Sequence, residues 1–200
     1  MKKITVVTML FVFMFALSFN SLAGGDKLEK CHKQMMDKAE KMKKKGALAV
    51  VGVATADASR IDLGKRQSIE RAKQEMAENR KVYVESSTHD FMEEVGKGKN
   101  AETNDVFRQV IESVSTTILN GAEVADFAYY VTKANKKEGL ATYIVLYVIT
   151  PEAMQKSLEA ELTKKGSKDN LYQRYVDSKA KEQHDAQVKA YKDEFEKDTK

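Results

Sequence analysis

Residues 47–55 read Ala47-Leu48-Ala49-Val50-Val51-Gly52-Val53-Ala54-Thr55, bounded by Gly46 and the polar Asp57. This run decides the fold class. It is short, rich in valine and almost continuously apolar, the pattern of a strand covered on both faces or central in a sheet. Gly52 inside it implies that another backbone or a helix approaches closely, where a side chain would obstruct.

Beyond this strand the sequence turns helical. Ile69, Ala72, Met76, Arg80 and Tyr83 fall on one stripe, with Lys65, Glu70, Arg71, Lys73, Glu75 and Glu78 left for solvent. Val82-Tyr83-Val84 favours strand by residue type. Val84, Thr88, Phe91 and Val95 repeat at helical spacing, and the continuation over 82–95 is expected to be helix. Residues 96–104 read as a polar loop, with Thr103 or Asn104 capping a second apolar helix through Leu119. Asn120-Gly121 stops it. Two β-branched and aromatic runs, 124–132 and 140–150, are joined by residues 133–139 as a long-loop hairpin. Pro151, with Thr150 as its cap, opens a helix over 151–164. After a break at 166–170, one last helix is expected over about 171–197.

The rest of the composition sets limits. Among 200 residues there are one proline, one cysteine and no tryptophan. A single proline favours long uninterrupted helices. A lone cysteine excludes an internal disulfide framework and a multi-cysteine zinc cluster. Met1-Lys2-Lys3 followed by the apolar run 4–19 and Ser21-Leu22-Ala23 reads as a cleavable signal peptide, residues 1–23, cut between Ala23 and Gly24. The run is shorter than the ~20 residues of a membrane-spanning helix. Its loss removes Lys2 and Lys3, so the net charge of +4 falls by two and argues little for nucleic acid. A lipoprotein would carry cysteine where Gly25 stands, so the mature protein is expected to be exported and unacylated, with at most peripheral membrane contact.

Residues 24–45 form a basic N-terminal helix whose seam, Leu28, Met35, Ala39 and Met42, is free to pack on the domain or on a partner. Residues 153–200 form charged C-terminal helices; their stripe, Tyr172, Val176, Ala180, Val188, Tyr191 and Phe195, likewise needs a surface to cover.

The order strand, helix, helix, hairpin, with Val51-Gly52-Val53-Ala54, the alanine-bearing helix of 61–79, Gly121-Ala122-Glu123-Val124 and Ala141 to Val148, resembles the Lpp-twenty lipoprotein family. That family is known from a Helicobacter surface antigen and from flagellum-associated envelope lipoproteins. The resemblance spans about residues 46–152. It implies an α+β domain, β-α-α-β-β, with a three-stranded sheet and helices on one face, extended here by N- and C-terminal helices. It also implies an envelope location, often near the motility apparatus, and brings no catalytic residues with it.

Direct readings for chemistry are weak. Cys31-His32 are adjacent and diverge on a helix, short of the four ligands a structural zinc needs. Ser86 to Asp90 holds serine, histidine and aspartate in one run, but a triad is assembled in space and not by adjacency. Neither a metal nor a cofactor is expected. Cys31, unpaired in an oxidising compartment, is a candidate for an intermolecular disulfide. The leading expectation is a non-enzymatic, exported cell-envelope protein acting by assembly or protein–protein contact, with self-association or an envelope partner at the terminal helices. The alternative is a periplasmic small-ligand module with an aromatic pocket between sheet and helices, lined by some of Phe127, Tyr129, Tyr143 and Tyr147.

Overall fold

The computed structural model describes residues 25–96, 101–165 and 170–195. The expected signal segment lies outside them, as do residues 97–100 of the expected 96–104 loop, whose remaining residues belong to the helices on either side. Helix α1 spans Gly25–Lys44, strand β1 Leu48–Asp57, and helix α2 Ile61–Gly96. Helix α3 runs over Ala101–Thr117 and passes into a 3-10 turn at Ile118–Gly121. Strand β2 is Glu123–Tyr130, short helix α4 Lys133–Lys137, and strand β3 Leu140–Ile149. Helices α5, Pro151–Lys165, α6, Leu171–Val176, and α7, Lys179–Phe195, complete the fold.

The three strands form one antiparallel sheet in the order β1-β3-β2. The α+β class and the strand–helix–helix–hairpin order are therefore as expected. The strand in the middle is β3, buried from Ala141 to Ile149, and β1 is an edge strand covered on both faces at its start and exposed at Thr55 and Asp57. β1 pairs with β3 without interruption, from Leu48 opposite Ile149 to Asp57 opposite Leu140.

Alternation along β3 sends Tyr143, Val145, Tyr147 and Ile149 to one face and Ile144, Leu146 and Val148 to the other. The first face packs on α2, with α3, α5, α6 and α7 behind it. The second packs on α1 through Cys31, Met35, Ala39 and Met42. The N-terminal helix is thus a layer of the fold, its seam used by the sheet. Fully burying a methionine such as Met35 or Met42 contributes about 1.5–3 kcal/mol.

Helix α2 has 36 residues, and neither glycine nor proline interrupts residues 65–95. Its buried positions include Gly64, Ser68, Ala72, Met76, Val84, Thr88 and Phe91. These follow steps of mostly four residues. At about 100° per residue, each such step overshoots one turn by about 40°. The buried line therefore winds around the helix. Near Ser68 and Ala72 it faces the sheet; by Phe91 it faces Phe107 of α3 and Tyr175 of α6, ring centroids 5.0 and 5.3 Å away. Tyr83 and Val84 turn inward while Val82 is 68% exposed, so the strand-like triplet sits in a helix that buries two of its three members wholly or in part.

Three boundaries differ from expectation. Thr103 and Asn104 lie inside α3 and do not cap it. The expected hairpin loop folds into α4, because Thr132 Oγ1 accepts the Asn135 amide at 3.1 Å and starts a helical turn. The last helix is two: at Ser178 the hydroxyl donates to the Tyr175 carbonyl (2.6 Å) and accepts the Lys181 amide (3.3 Å), closing α6 and capping α7. Thr150 caps α5 as expected, its hydroxyl accepting the Ala153 amide at 3.2 Å.

A Cβ on Gly52 would lie 2.0 Å from the Ser68 carbonyl oxygen and 2.8 Å from the Ala72 Cβ. Gly52→Ala is expected to lower unfolding stability by roughly 1–3 kcal/mol, because the neighbour is helix backbone with little room to move. Urea unfolding of the two proteins measures this; an unchanged midpoint would show that α2 does not rest on Gly52.

Candidate functional site

The four aromatic candidates do not line a common pocket. Tyr143 is buried, its ring against Gly64 and its hydroxyl donating to the Asp57 carbonyl at 2.8 Å. That hydrogen bond ties β3 to the end of β1. Phe127 stacks on Tyr143 and Tyr129 at 6.5 and 6.3 Å, and Lys65 Nζ sits 5.1 Å over the Phe127 ring. Tyr129 is 44% exposed, and Tyr147 is buried further along β3 in the main core. Three of the four therefore form a stacked ladder that holds β2 onto β3. Burial of Tyr143, aided by the nearby Asp57 charge, raises its phenol pKa.

Cys31 is a free, buried cysteine in the layer between α1 and the sheet. Its thiol pairs with the Tyr130 hydroxyl, and this contact is the main cause of that phenol's raised pKa. In this arrangement the sulfur faces the protein's own core and is not presented to a second molecule. Neighbouring His32 is only half-buried.

Ser86 to Asp90 lies within α2. Thr88 donates to the Val84 carbonyl at 2.8 Å, while His89 is at the surface, 3.4 Å from Asp90. No nucleophile–base–carboxylate relay is built there. Among the described residues, no three His, Cys, Asp or Glu side chains converge as metal ligands.

A buried polar group that sequence reasoning passed over is His184. Its Nε2 lies 2.6 Å from the Ser87 carbonyl, which can only accept, so Nε2 carries the proton. Nδ1 then accepts from the Tyr175 hydroxyl at 2.6 Å. The neutral imidazole thus staples α7 to α2 and α6. Burial lowers its pKa, outweighing the Ser87 hydrogen bond and the attraction of Asp185.

Beyond these groups, the fold builds a shallow groove along the flank of α2 that reaches the β1 edge at Thr55. Its volume is about 500 Å³, and it lies between Thr55 of β1 and Leu63, Arg66, Glu70, Arg71 and Gln74 of α2. Through Leu63 and Arg66 it continues into a second depression beside Ser59 and Arg60. Glu70 is engaged by Lys73 at 3.0 Å. Among the described residues, no ion pair engages Arg66 or Arg71. The positions 63, 66, 67, 70 and 74 recur at threes and fours, which in the sequence reads as an ordinary wet helix face.

The opposite edge is blunted. β2 has a bulge between Val124 and Asp126. The Asp126 carboxylate accepts the Phe127 amide at 2.9 Å and meets Lys38 of α1 at 3.1 Å. An irregularity and an inward-drawn charge of this kind discourage strand addition.

Compared with family models, with curated proteins and with solved structures, the chain matches none.

His184 generates a pH dependence. Its unfolded pKa is about 6.5 and its folded value is lower, so the neutral form is the one the fold favours. The stabilisation is fully present above about pH 6.5 and is lost as pH falls through the folded pKa. Asp185 and Glu152, whose pKa values are lowered by partners, act in the same direction at lower pH. Urea midpoints between pH 7.5 and 5 are therefore expected to fall less steeply in His184→Gln than in the parent. Parallel pH profiles would remove His184 as the cause.

Proposed function

We propose that this protein is an exported, non-enzymatic component of the cell envelope that acts by binding other proteins. Its setting would be that of the Lpp-twenty proteins it resembles, which include envelope and flagellum-associated members. The observation that most supports the reading is a sheet closed by helices on both faces yet left open along the β1 edge, with arginines outside any ion pair beside it.

The site differs from the one the terminal helices suggested. The stripe of α1 is spent on the second face of the sheet, and Ala180 and Tyr191 of the C-terminal stripe are spent on the protein's own core, whereas Tyr172 and Val176 of α6 stay exposed. The β1 edge and its groove are the surface this reading assigns to a partner. Among the described residues no helix is long and apolar enough to cross a membrane.

The export half of the reading has a direct test. Expressed with a C-terminal tag, the full-length protein is expected in the periplasmic fraction with Gly24 as its first residue by intact mass. Retention in the cytosol at full length would contradict it.

A further inference from the structure

We infer that the β1 edge and the flank of α2 form a docking groove for an extended, acidic segment of a partner protein, which adds to the sheet as a fourth strand. The inference rests on the protein-binding reading above and names the chemistry of the partner.

The backbone supplies the first argument. All ten residues of β1 pair with β3 without a register shift, so the ladder uses one side of the strand. In an antiparallel ladder alternate N–H and C=O groups point away from the partner strand. The Ala58 amide bonds the Gly139 carbonyl, so the even-numbered residues of β1 face β3 and the odd-numbered ones point outward. Ala49 is fully buried, and the open part of the edge is its second half, where Val51 and Val53 are half-buried and Thr55 is exposed. Among the described residues, no further backbone hydrogen bond involves residues 51–55. A straight, unbulged edge of this kind invites another strand. The contrast with β2 is informative, since the bulge and the Asp126 contacts guard that edge, and among the described residues no bulge interrupts β1 over Val51–Thr55.

The groove supplies the second argument. An edge strand beside a helix is the arrangement in which an added strand gains main-chain hydrogen bonds on one side and contacts to side groups on the other. Here the helix wall carries Arg66 and Arg71, with Arg60 where the groove turns around the start of α2. Of the two acids along it, Glu70 is already paired with Lys73. Guanidinium groups fork onto carboxylates with two parallel hydrogen bonds, so the wall selects acidic side chains at alternate positions of the incoming strand.

A fluorescein-labelled nonapeptide alternating glutamate with valine probes this directly, titrated into the exported protein and followed by anisotropy and amide chemical shifts. Saturable binding is expected, with shifts confined to residues 51–57 and 60–74. Arg66→Ala/Arg71→Ala is expected to weaken it by roughly tenfold or more while leaving the unfolding midpoint unchanged. The lysine-for-glutamate peptide is expected to bind far more weakly, and methylating alternate backbone nitrogens of the glutamate peptide should abolish binding. Four results would overturn the inference: no binding, binding indifferent to N-methylation, shifts mapping to β2, or a concentration-dependent dimer of the protein paired through β1. Each would leave the export result untouched, so failure of the groove and failure of the envelope reading are separable.

Discussion

The contact between Gly52 and the backbone of α2 sets the geometry on which the rest of the molecule depends. Without a side chain at residue 52, the Ser68 carbonyl and Ala72 descend onto β1, and the helix lies unusually close to an edge strand. The same close approach recurs one helical turn earlier, where Gly64 receives the Tyr143 ring. These two glycines, one in the strand and one in the helix, bring α2 near enough for its polar flank to stand beside the β1 edge as a wall. The groove with Arg66 and Arg71 is therefore a consequence of packing, since a larger residue at either position would push the wall away.

The winding of the buried line along α2 has a second consequence. One helix contacts the sheet with its first half and organises α3, α6 and α7 with its second. His184 and Tyr175 complete that second region with hydrogen bonds, the buried imidazole donating to the Ser87 carbonyl and accepting from the Tyr175 hydroxyl, so that neither polar side chain is buried unmet. With α1 closing the opposite face, both faces of β3 are spent on internal packing. What the fold leaves for others is an edge.

Much of the fold was legible because it rests on local patterns. The valine-rich run at 47–55 announces a strand, Gly52 announces a close approach, and Pro151 after Thr150 announces a helix start. The seam Leu28, Met35, Ala39 and Met42 was visible, but what it would cover was not, since periodicity specifies a face and not its neighbour. Cys31 belongs to the same seam and was read for its chemistry instead. The strand order escaped because nothing local distinguishes β1 at the edge from β3 at the centre. The candidate site was less legible still. Phe127, Tyr129, Tyr143 and Tyr147 carried an aromatic signal that proved to be internal stacking and core. Arg66 and Arg71 carried none, because a solvated helix face and the wall of a groove have the same polar pattern. His184 was hidden likewise: only the fold brings Ser87, 97 residues earlier, to its ring.

Residue-resolved amide hydrogen exchange tests the central claim, that the sheet is closed on its faces and open along β1. The account predicts slow exchange throughout β3 and an alternation along residues 51–56, with the amides of Val51, Val53 and Thr55 fast because they point outward without a partner. Uniform protection along β1 would contradict it, by showing that the edge is already covered.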